Sequence, residues 1–263
     1  MDRKKDALDK LVAFLAKRDG IDKLVKTFQY IGKLSHYHLQ ESHPALANRF
    51  QKLEIASGLS RKAFRTGRFL TGYNALRTTT YYPDWKLQTL AVLGNGGEMV
   101  YWFFDHFVWL ARVGVLDSHL ANRLCYVSCF GEAFCYIFFT MAELIVIRRG
   151  LEAEWKCKKE LEELLVEEES CSKLAGSSVI SSSSSNAGVS LVAVTERIKQ
   201  VKVQISKIRL QRVMSVMAIT AYIADLLIAL AVVDPNPFVN HAITLGLSGL
   251  ASAWAGWYRN WPD

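Results

Sequence analysis

Met214-Ser215-Val216-Met217-Ala218-Ile219-Thr220-Ala221-Tyr222-Ile223-Ala224-Asp225-Leu226-Leu227-Ile228-Ala229-Leu230-Ala231-Val232-Val233 runs for 20 residues with a single charge, Asp225. At about 1.5 Å per residue a helix of that length matches a hydrocarbon core of roughly 30 Å. A second run from Val239 to Tyr258 is again 20 residues, with His241 alone as an ionisable group. Asp234-Pro235-Asn236-Pro237 stands between them and reads as a tight turn. The second run leads into Trp254, Trp257, Tyr258, Arg259 and Trp261, the aromatic and cationic belt of a headgroup boundary. Ser248, Ser252 and Gly256 fall four apart on one face, a small-residue stripe that lets another helix approach closely. The pair reads as a C-terminal transmembrane hairpin within 214–263. The other reading of each run is a buried core helix.

Two more apolar stretches precede this pair. Cys125 to Ile147 spans 23 residues and contains Glu132 and Glu143. Leu87 to Leu116 is interrupted by Gly94-Asn95-Gly96-Gly97, read as a helix break, and carries Glu98, Asp105 and His106. The former is a plausible span. The latter is open between a span and burial or surface attachment. Region 87–147 is therefore membrane-associated or spanning.

Residues 148–213 are different. Positions 152–169 hold 8 Glu and 3 Lys, and positions 195–213 hold 6 Lys/Arg and 1 Glu. Ile198, Val201, Ile205 and Ile208 follow a coiled-coil-like spacing, and Cys157, Leu161 and Leu164 give a weaker seam. Between the two lies 170–190, with 10 Ser in 21 residues, which reads as a flexible linker. The arms either close as a hairpin of opposite charge or stand as two solvated helices.

Positions 1–86 form a basic, amphipathic region. Leu8, Leu11, Val12 and Leu15 are at helical spacing, Gly20 interrupts, and Ile21, Leu24, Val25, Phe28, Ile31 and Leu34 continue the pattern. A third helix is expected from about Leu46 to past Tyr73, and Tyr82-Pro83 should end whatever precedes it. Over Leu59–Arg77, Leu59, Ala63, Leu70 and Tyr73 share one side of a helix. Arg61, Arg65 and Arg68 share the other, with Lys62 at its edge. Such a helix lies in the headgroup plane and offers its cations to an anionic phospholipid membrane. A surface helix of a soluble bundle would carry the same pattern.

The whole chain has 263 residues, a formal net charge of +7 and a mean hydropathy of +0.10. Positions 1–90 alone carry 17 Lys/Arg against 8 Asp/Glu, so the charge is concentrated at the front. A nucleic-acid-binding protein shares a basic front but not the apolar blocks, so no nucleic-acid partner is expected. The start, Met1-Asp2-Arg3-Lys4-Lys5-Asp6, has no apolar run behind it and does not read as a secretory signal. Cys125, Cys129, Cys135, Cys157 and Cys171 suggest no disulfide framework. His36, His38 and His43 lack the ordered ligand frame of a zinc site, and the Gly94–Gly97 run lacks the ending of a phosphate loop. The expected fold class is all-α and membrane-embedded, with no catalytic residues, no metal and no cofactor.

The run Lys17-Arg18-Asp19-Gly20-Ile21-Asp22-Lys23-Leu24-Val25-Lys26-Thr27-Phe28-Gln29-Tyr30 resembles the N-terminal signature of the peroxin 11 family of peroxisomal membrane elongation and division proteins. Leu59-Ser60-Arg61-Lys62-Ala63-Phe64-Arg65 through Phe69-Leu70 is similar to that family's amphipathic helix, in the same order. The resemblance is strongest to the plant branch. The C-terminus Arg259-Asn260-Trp261-Pro262-Asp263 departs from the dilysine ending of some plant members, and it is no Ser-Lys-Leu import tripeptide. The Ser-rich segment departs too. The resemblance implies a multispanning protein of the peroxisomal membrane with both termini cytosolic. It implies homo-oligomers and association with related family members. It further implies recruitment of fission machinery, namely a tail-anchored adaptor and a dynamin-related protein, and promotion of peroxisome proliferation. The rival expectation is a channel or solute carrier, motivated by Glu98, Asp105, His106, Glu132, Glu143, Asp225 and His241 in apolar stretches. Positive-inside counting favours four membrane-associated stretches with the Ser-rich segment cytosolic. The family's conventional two-span picture places that segment in the lumen.

Overall fold

The computed structural model describes residues 6–79, 84–177, 184–234 and 236–262. Among them the chain forms eight helices and no strand. It divides into two compact units, one of residues 1–143 with 217–263 and one of residues 144–216.

In the first unit, α1 (Ala7–Leu15) starts on a capping box in which Asp6 and Asp9 bond each other's backbone N–H. The helices α2 (Arg18–Leu39) and α3 (Pro44–Phe64) are antiparallel neighbours. Gly32 meets the backbone at Phe50 and Glu54, and Gly58 meets the Gln29 side chain. Pro44 sits in the first turn of α3, where its missing N–H costs nothing. α4 (Phe69–Thr79) follows after a turn, and α5 (Trp85–Arg112) is capped by the Asp84 carboxylate on the Lys86 N–H. α6 (Leu120–Ser177) and α7 (Ser184–Val233) each contribute one end to this unit. α8 (Ala242–Asn260), capped by His241, lies antiparallel on α2: Gly246 meets Leu34, Gly249 meets Tyr30 and Gly256 meets Lys23.

Several expectations change. The Gly94–Gly97 run does not break a helix; α5 passes straight through it. Its glycines make room instead, Gly94 for the Phe139 ring and Gly97 for Phe134 and Cys135 on α6. Gly131 on α6 returns the contact, its Cα facing the Tyr101 N–H and the Gly97 carbonyl. Small residues let two apolar helices touch backbone to backbone. The expected helix over 59–77 is not continuous: α3 stops at Phe64, and Gly67 takes a left-handed φ of 76° before α4 begins. The stretch 170–190 is helical to Ser177 and again from Ser184, because the helices of its two arms propagate into it. The segment 178–183, the Tyr82-Pro83 stop, Pro235 in the turn before α8 and the Cys171 side chain lie outside the described residues.

Among the described residues, two helices are long and apolar enough to cross a membrane, α6 and α7. α8, expected as the second half of the C-terminal hairpin, is not among them, since its apolar run is diluted by glycine, serine and aromatic residues.

In the second unit the two charged arms are paired. Cys157, Val201 and Ile205 form a buried seam flanked by Leu161, Leu164 and Ile208. Glu154 accepts from Arg209 at 2.8 Å and Arg212 at 2.7 Å, and Arg197 reaches Glu160 at 2.7 Å. Exposed pairs such as Arg197–Glu160 contribute about 0–1 kcal/mol, and salt screens them. The apolar seam therefore carries the pairing. Arg197→Ala should shift resistance of the 144–216 region to proteolysis little, whereas Val201→Asp, which buries a charge among apolar groups, should abolish it.

Candidate functional site: a buried ion-pair cluster beneath an apolar surface

The first unit has its charges inside and many of its large apolar side chains outside. Buried polar groups include Asp22, Lys26, Arg61, Asp105, Asp225 and Ser252. Exposed apolar groups include Phe28, Ile31, Ile55, Phe103, Phe130 and Leu247. A water-soluble bundle sorts its residues the other way. In lipid, ionisable side chains face the bundle interior and pair with one another, while apolar side chains face hydrocarbon.

The basic stretch is the hub of this interior. Arg61, 6% exposed, and Arg65 each donate from Nε to the Asp22 carboxylate at 3.1 Å. A second Arg61 nitrogen donates to Gln29 Oε1 at 2.8 Å, and a second Arg65 nitrogen donates to the Tyr101 hydroxyl at 2.8 Å. Lys62 pairs with Asp105, and Arg68 pairs with Asp19 at 2.7 Å. The guanidiniums of Arg65 and Arg68 also lie over the Trp102 ring, 4.9 and 4.5 Å from its centroid. Burial alone would raise the Asp22 carboxyl, but Arg61 and Arg65 more than offset it and hold the group well below the usual carboxylate range.

The break between α3 and α4 allows this geometry. One straight helix would spread Arg61, Lys62, Arg65 and Arg68 along a single outer face. The Gly67 turn, whose N–H donates to His106 Nε2 at 2.6 Å, folds Arg68 back toward Asp19. The expectation of a solvated or lipid-facing basic face is thus corrected: these cations turn inward. The physical reason is that Asp19, Asp22 and Asp105 in an apolar setting require counter-charges. Leu59 and Ala63, expected on the apolar face, are half-buried, whereas Leu70 and Tyr73, three apart on α4, are 57% and 55% exposed. Phe64 at the end of α3 is also exposed.

A second polar contact ties three helices together. Lys26 of α2 pairs with Asp225 of α7, and Ser252 of α8 donates to Asp225 at 2.7 Å. The small-residue stripe is the surface on which α2 rests: Ser252 lies 2.6 Å from the Lys26 ammonium, Gly256 lies against the Lys23 stem, and Ser248 is buried. Asp105 stood out in the sequence as a charge in an apolar stretch, but its pairing with the basic run, and that of Asp19 and Asp22, was not read there. For Asp105 the signal was present, since an aspartate in an apolar stretch requires a cation and the basic run 61–68 supplies four.

Two cavities flank the cluster. One of about 260 Å³ lies near Asp19, Lys23, Arg68, Glu98 and Arg259. One of about 150 Å³ lies near Lys26, Arg61, Lys62, Cys125 and Glu132. Arg65 and Asp225 line both, and the Tyr136 hydroxyl of the first donates to Glu132 of the second at 3.2 Å. Among the described residues no group of three or more His, Cys, Asp or Glu side chains is arranged to hold a metal ion.

An all-helical bundle with a charged interior, an apolar exterior and two membrane-length helices defines a class, that of integral membrane proteins of helical type. Within that class, residues 8–261 match the family described as peroxisomal biogenesis factor 11, PEX11, and the chain belongs to it. It is 52% identical over 258 residues to "Peroxisomal membrane protein 11-4" of Oryza sativa subsp. indica, covering 98% of each chain. It is 51% identical to "Peroxisomal membrane protein 11B" of Arabidopsis thaliana, covering 98% of this chain and 99% of the other. The more distant "Peroxisomal membrane protein 11 homolog" of Dictyostelium discoideum is 25% identical, over 97% of this chain and 94% of the other. No solved structure matches. Membership carries a role in peroxisome biogenesis at the peroxisomal membrane, with membrane association and contacts among family members.

Proposed function

We propose that the chain elongates the peroxisomal membrane and so promotes peroxisome proliferation and fission. The observation that carries this reading is the outward apolar edge of Phe64, Leu70 and Tyr73, mounted on a turn that buried ion pairs hold in place. An apolar edge inserted into one leaflet expands that leaflet and favours curvature, and self-association concentrates such edges. The basic residues serve this from within. Arg61 and Arg65 pin α3 to α2, while Lys62 and Arg68, paired with Asp105 and Asp19, fix the turn that carries the edge. Leu59 and Ala63 support the edge from behind. Elongated membrane then becomes the substrate of fission machinery recruited at the cytosolic face.

Each large apolar side chain that leaves water contributes about 1.5–3 kcal/mol. Leu70→Ser with Tyr73→Ser should therefore weaken insertion of this edge roughly a hundredfold or more. The double variant should reach peroxisomes normally, held by its other helices, and fail to elongate them in cells or to tubulate anionic vesicles. Elongation equal to wild type would remove this edge from the mechanism.

Four membrane-associated stretches, the apolar segments of α5 to α8, fit the inward charges: Asp105 on α5 is tied to Lys62, which lowers the cost of that stretch. The segment 148–213, with 12 Lys/Arg, is then cytosolic together with both termini. Protease added to intact organelles should cut near Ser181–Ser185, and full protection there with cleaved termini would reject the four-stretch topology.

The reading as a channel or solute carrier has one observation in its favour, the two polar cavities that share Arg65 and Asp225. Purified protein in sealed vesicles separates the two readings. Release of small solutes that Glu132→Leu abolishes, without tubulation, would favour transport; tubulation without release favours elongation.

A further inference from the structure

Of the two cavities beside the ion-pair cluster, the one of about 260 Å³ contains charges that the cluster leaves over. Of its cations, Arg65 is taken by Asp22, and Arg68 by Asp19. Of its carboxylates, Asp225 is taken by Lys26 and Ser252. Among the described residues Arg259 has no carboxylate partner and rests over the Tyr222 ring at 6.0 Å, and Lys23, which lines the same cavity, reaches Asp22 at 3.9 Å. Glu98 also has no ion-pair partner among the described residues. The 5%-exposed Trp102 ring lines the same cavity. A spare guanidinium and a spare carboxylate in one cavity complement a ligand that carries both signs.

Size and position narrow the ligand. The volume lies below the ~300–1,000 Å³ of pockets that take whole drug-sized molecules, and fits a small polar fragment. Arg259 belongs to the belt of Trp254, Trp257, Tyr258 and Trp261 at the end of α8, the composition of a headgroup boundary. Asp19, whose side chain is 43% exposed, and Arg68 mark the open side. We propose that this cavity holds the phosphoethanolamine headgroup of a zwitterionic phospholipid, with the phosphate on Arg259 and Lys23 and the primary ammonium on Glu98. A guanidinium binds phosphate through paired N–H donors, and a primary ammonium brings three donors to a carboxylate. The inference rests on the membrane-embedded reading of the first unit, and not on elongation.

The test uses full-length protein in nanodiscs that mix phosphatidylethanolamine, phosphatidylcholine and phosphatidylglycerol, with retained lipid measured by mass spectrometry after extraction into detergent. Phosphatidylethanolamine should be enriched about tenfold over the other two, the discrimination one charge-assisted contact supports. Glu98→Gln and Arg259→Gln should each erase most of that enrichment while still assembling into nanodiscs with wild-type helicity. Glu98→Asp should retain part of it, which separates a lost charge from a lost fold. Equal retention of all lipids by the wild type, or enrichment untouched in both Gln variants, would overturn the site. Enrichment of phosphatidylglycerol would reduce it to an anion site, and preference for phosphatidylcholine would overturn the Glu98 contact. Displacement by free phosphoethanolamine at concentrations equal to those of the lipid would overturn the lipid as its source. Failure to enter nanodiscs at all would instead reject the membrane-embedded reading.

Discussion

Replacing Asp22 with alanine is expected to destabilise the first unit by about 3–5 kcal/mol, because it leaves the buried guanidiniums of Arg61 and Arg65 without their shared counter-charge. That is a large part of the ~5–15 kcal/mol that holds an ordinary domain together. The variant should aggregate or be degraded in cells and show a lowered melting temperature in nanodiscs. The same logic changes the meaning of charge reversal in the basic stretch. Arg61→Glu with Arg65→Glu would place four carboxylate groups in one apolar setting, counting Asp22 and Asp105, so loss of protein should precede any loss of lipid binding. Adding Asp22→Arg to Arg61→Glu should restore part of the stability, and no rescue at all would mean that the pair does not act as a unit. The pH dependence has a definite sign. The native Asp22 carboxyl lies below its unfolded value, so its contribution is fully present above about pH 4 and fades only as pH falls through the lower native value. Between about pH 5 and pH 8 the contribution of Asp22 should be constant.

Gly249→Leu is the second substitution expected to act strongly. A Cβ built at this position would stand 2.2 Å from the ring atoms of Tyr30, which is itself buried. Neither helix can yield there without separating, and overpacking of that kind costs about 1–3 kcal/mol or more. Separation of α2 from α8 would also open the Lys26–Asp225–Ser252 contact one turn away. Loss of the α2–α8 contact should appear as protease cutting within α2 while the second unit keeps its protection. Gly96→Leu is the matched control, since a Cβ there meets nothing within 4 Å, and it should leave the protein near wild type.

The periods of the chain determined a good deal. Apolar runs of 20 and 23 residues, alternating with charged arms, could only be helical, and their length set them against a bilayer before any coordinates. The seam of Ile198, Val201, Ile205 and Ile208 predicted which face of the second arm would be covered, because a heptad-like spacing admits one face only. Ser248, Ser252 and Gly256 announced a close helix contact, since nothing but a neighbouring helix makes use of three small residues in a row on one side.

Direction and partnership were decided by the tertiary structure alone. A helical wheel places Arg61, Lys62, Arg65 and Arg68 opposite an apolar face, but it does not say whether water, lipid or protein lies there. The answer depends on Asp22, 39 residues before Arg61, and on Asp105, 43 residues after Lys62, and no local rule reaches that far. The Gly94–Gly97 run shows the same limit. Locally it weakens a helix by the entropy of its glycines, and only the arrival of α6 and its Phe139 and Phe134 rings converts that cost into a packing surface. Which α2 side chain would settle on the small-residue stripe was likewise hidden, because the stripe specifies closeness and leaves the partner open. In each case the sequence states a requirement of one element, and the fold supplies the distant group that meets it, since ion pairs and close packing are contacts in space that local spacing does not encode.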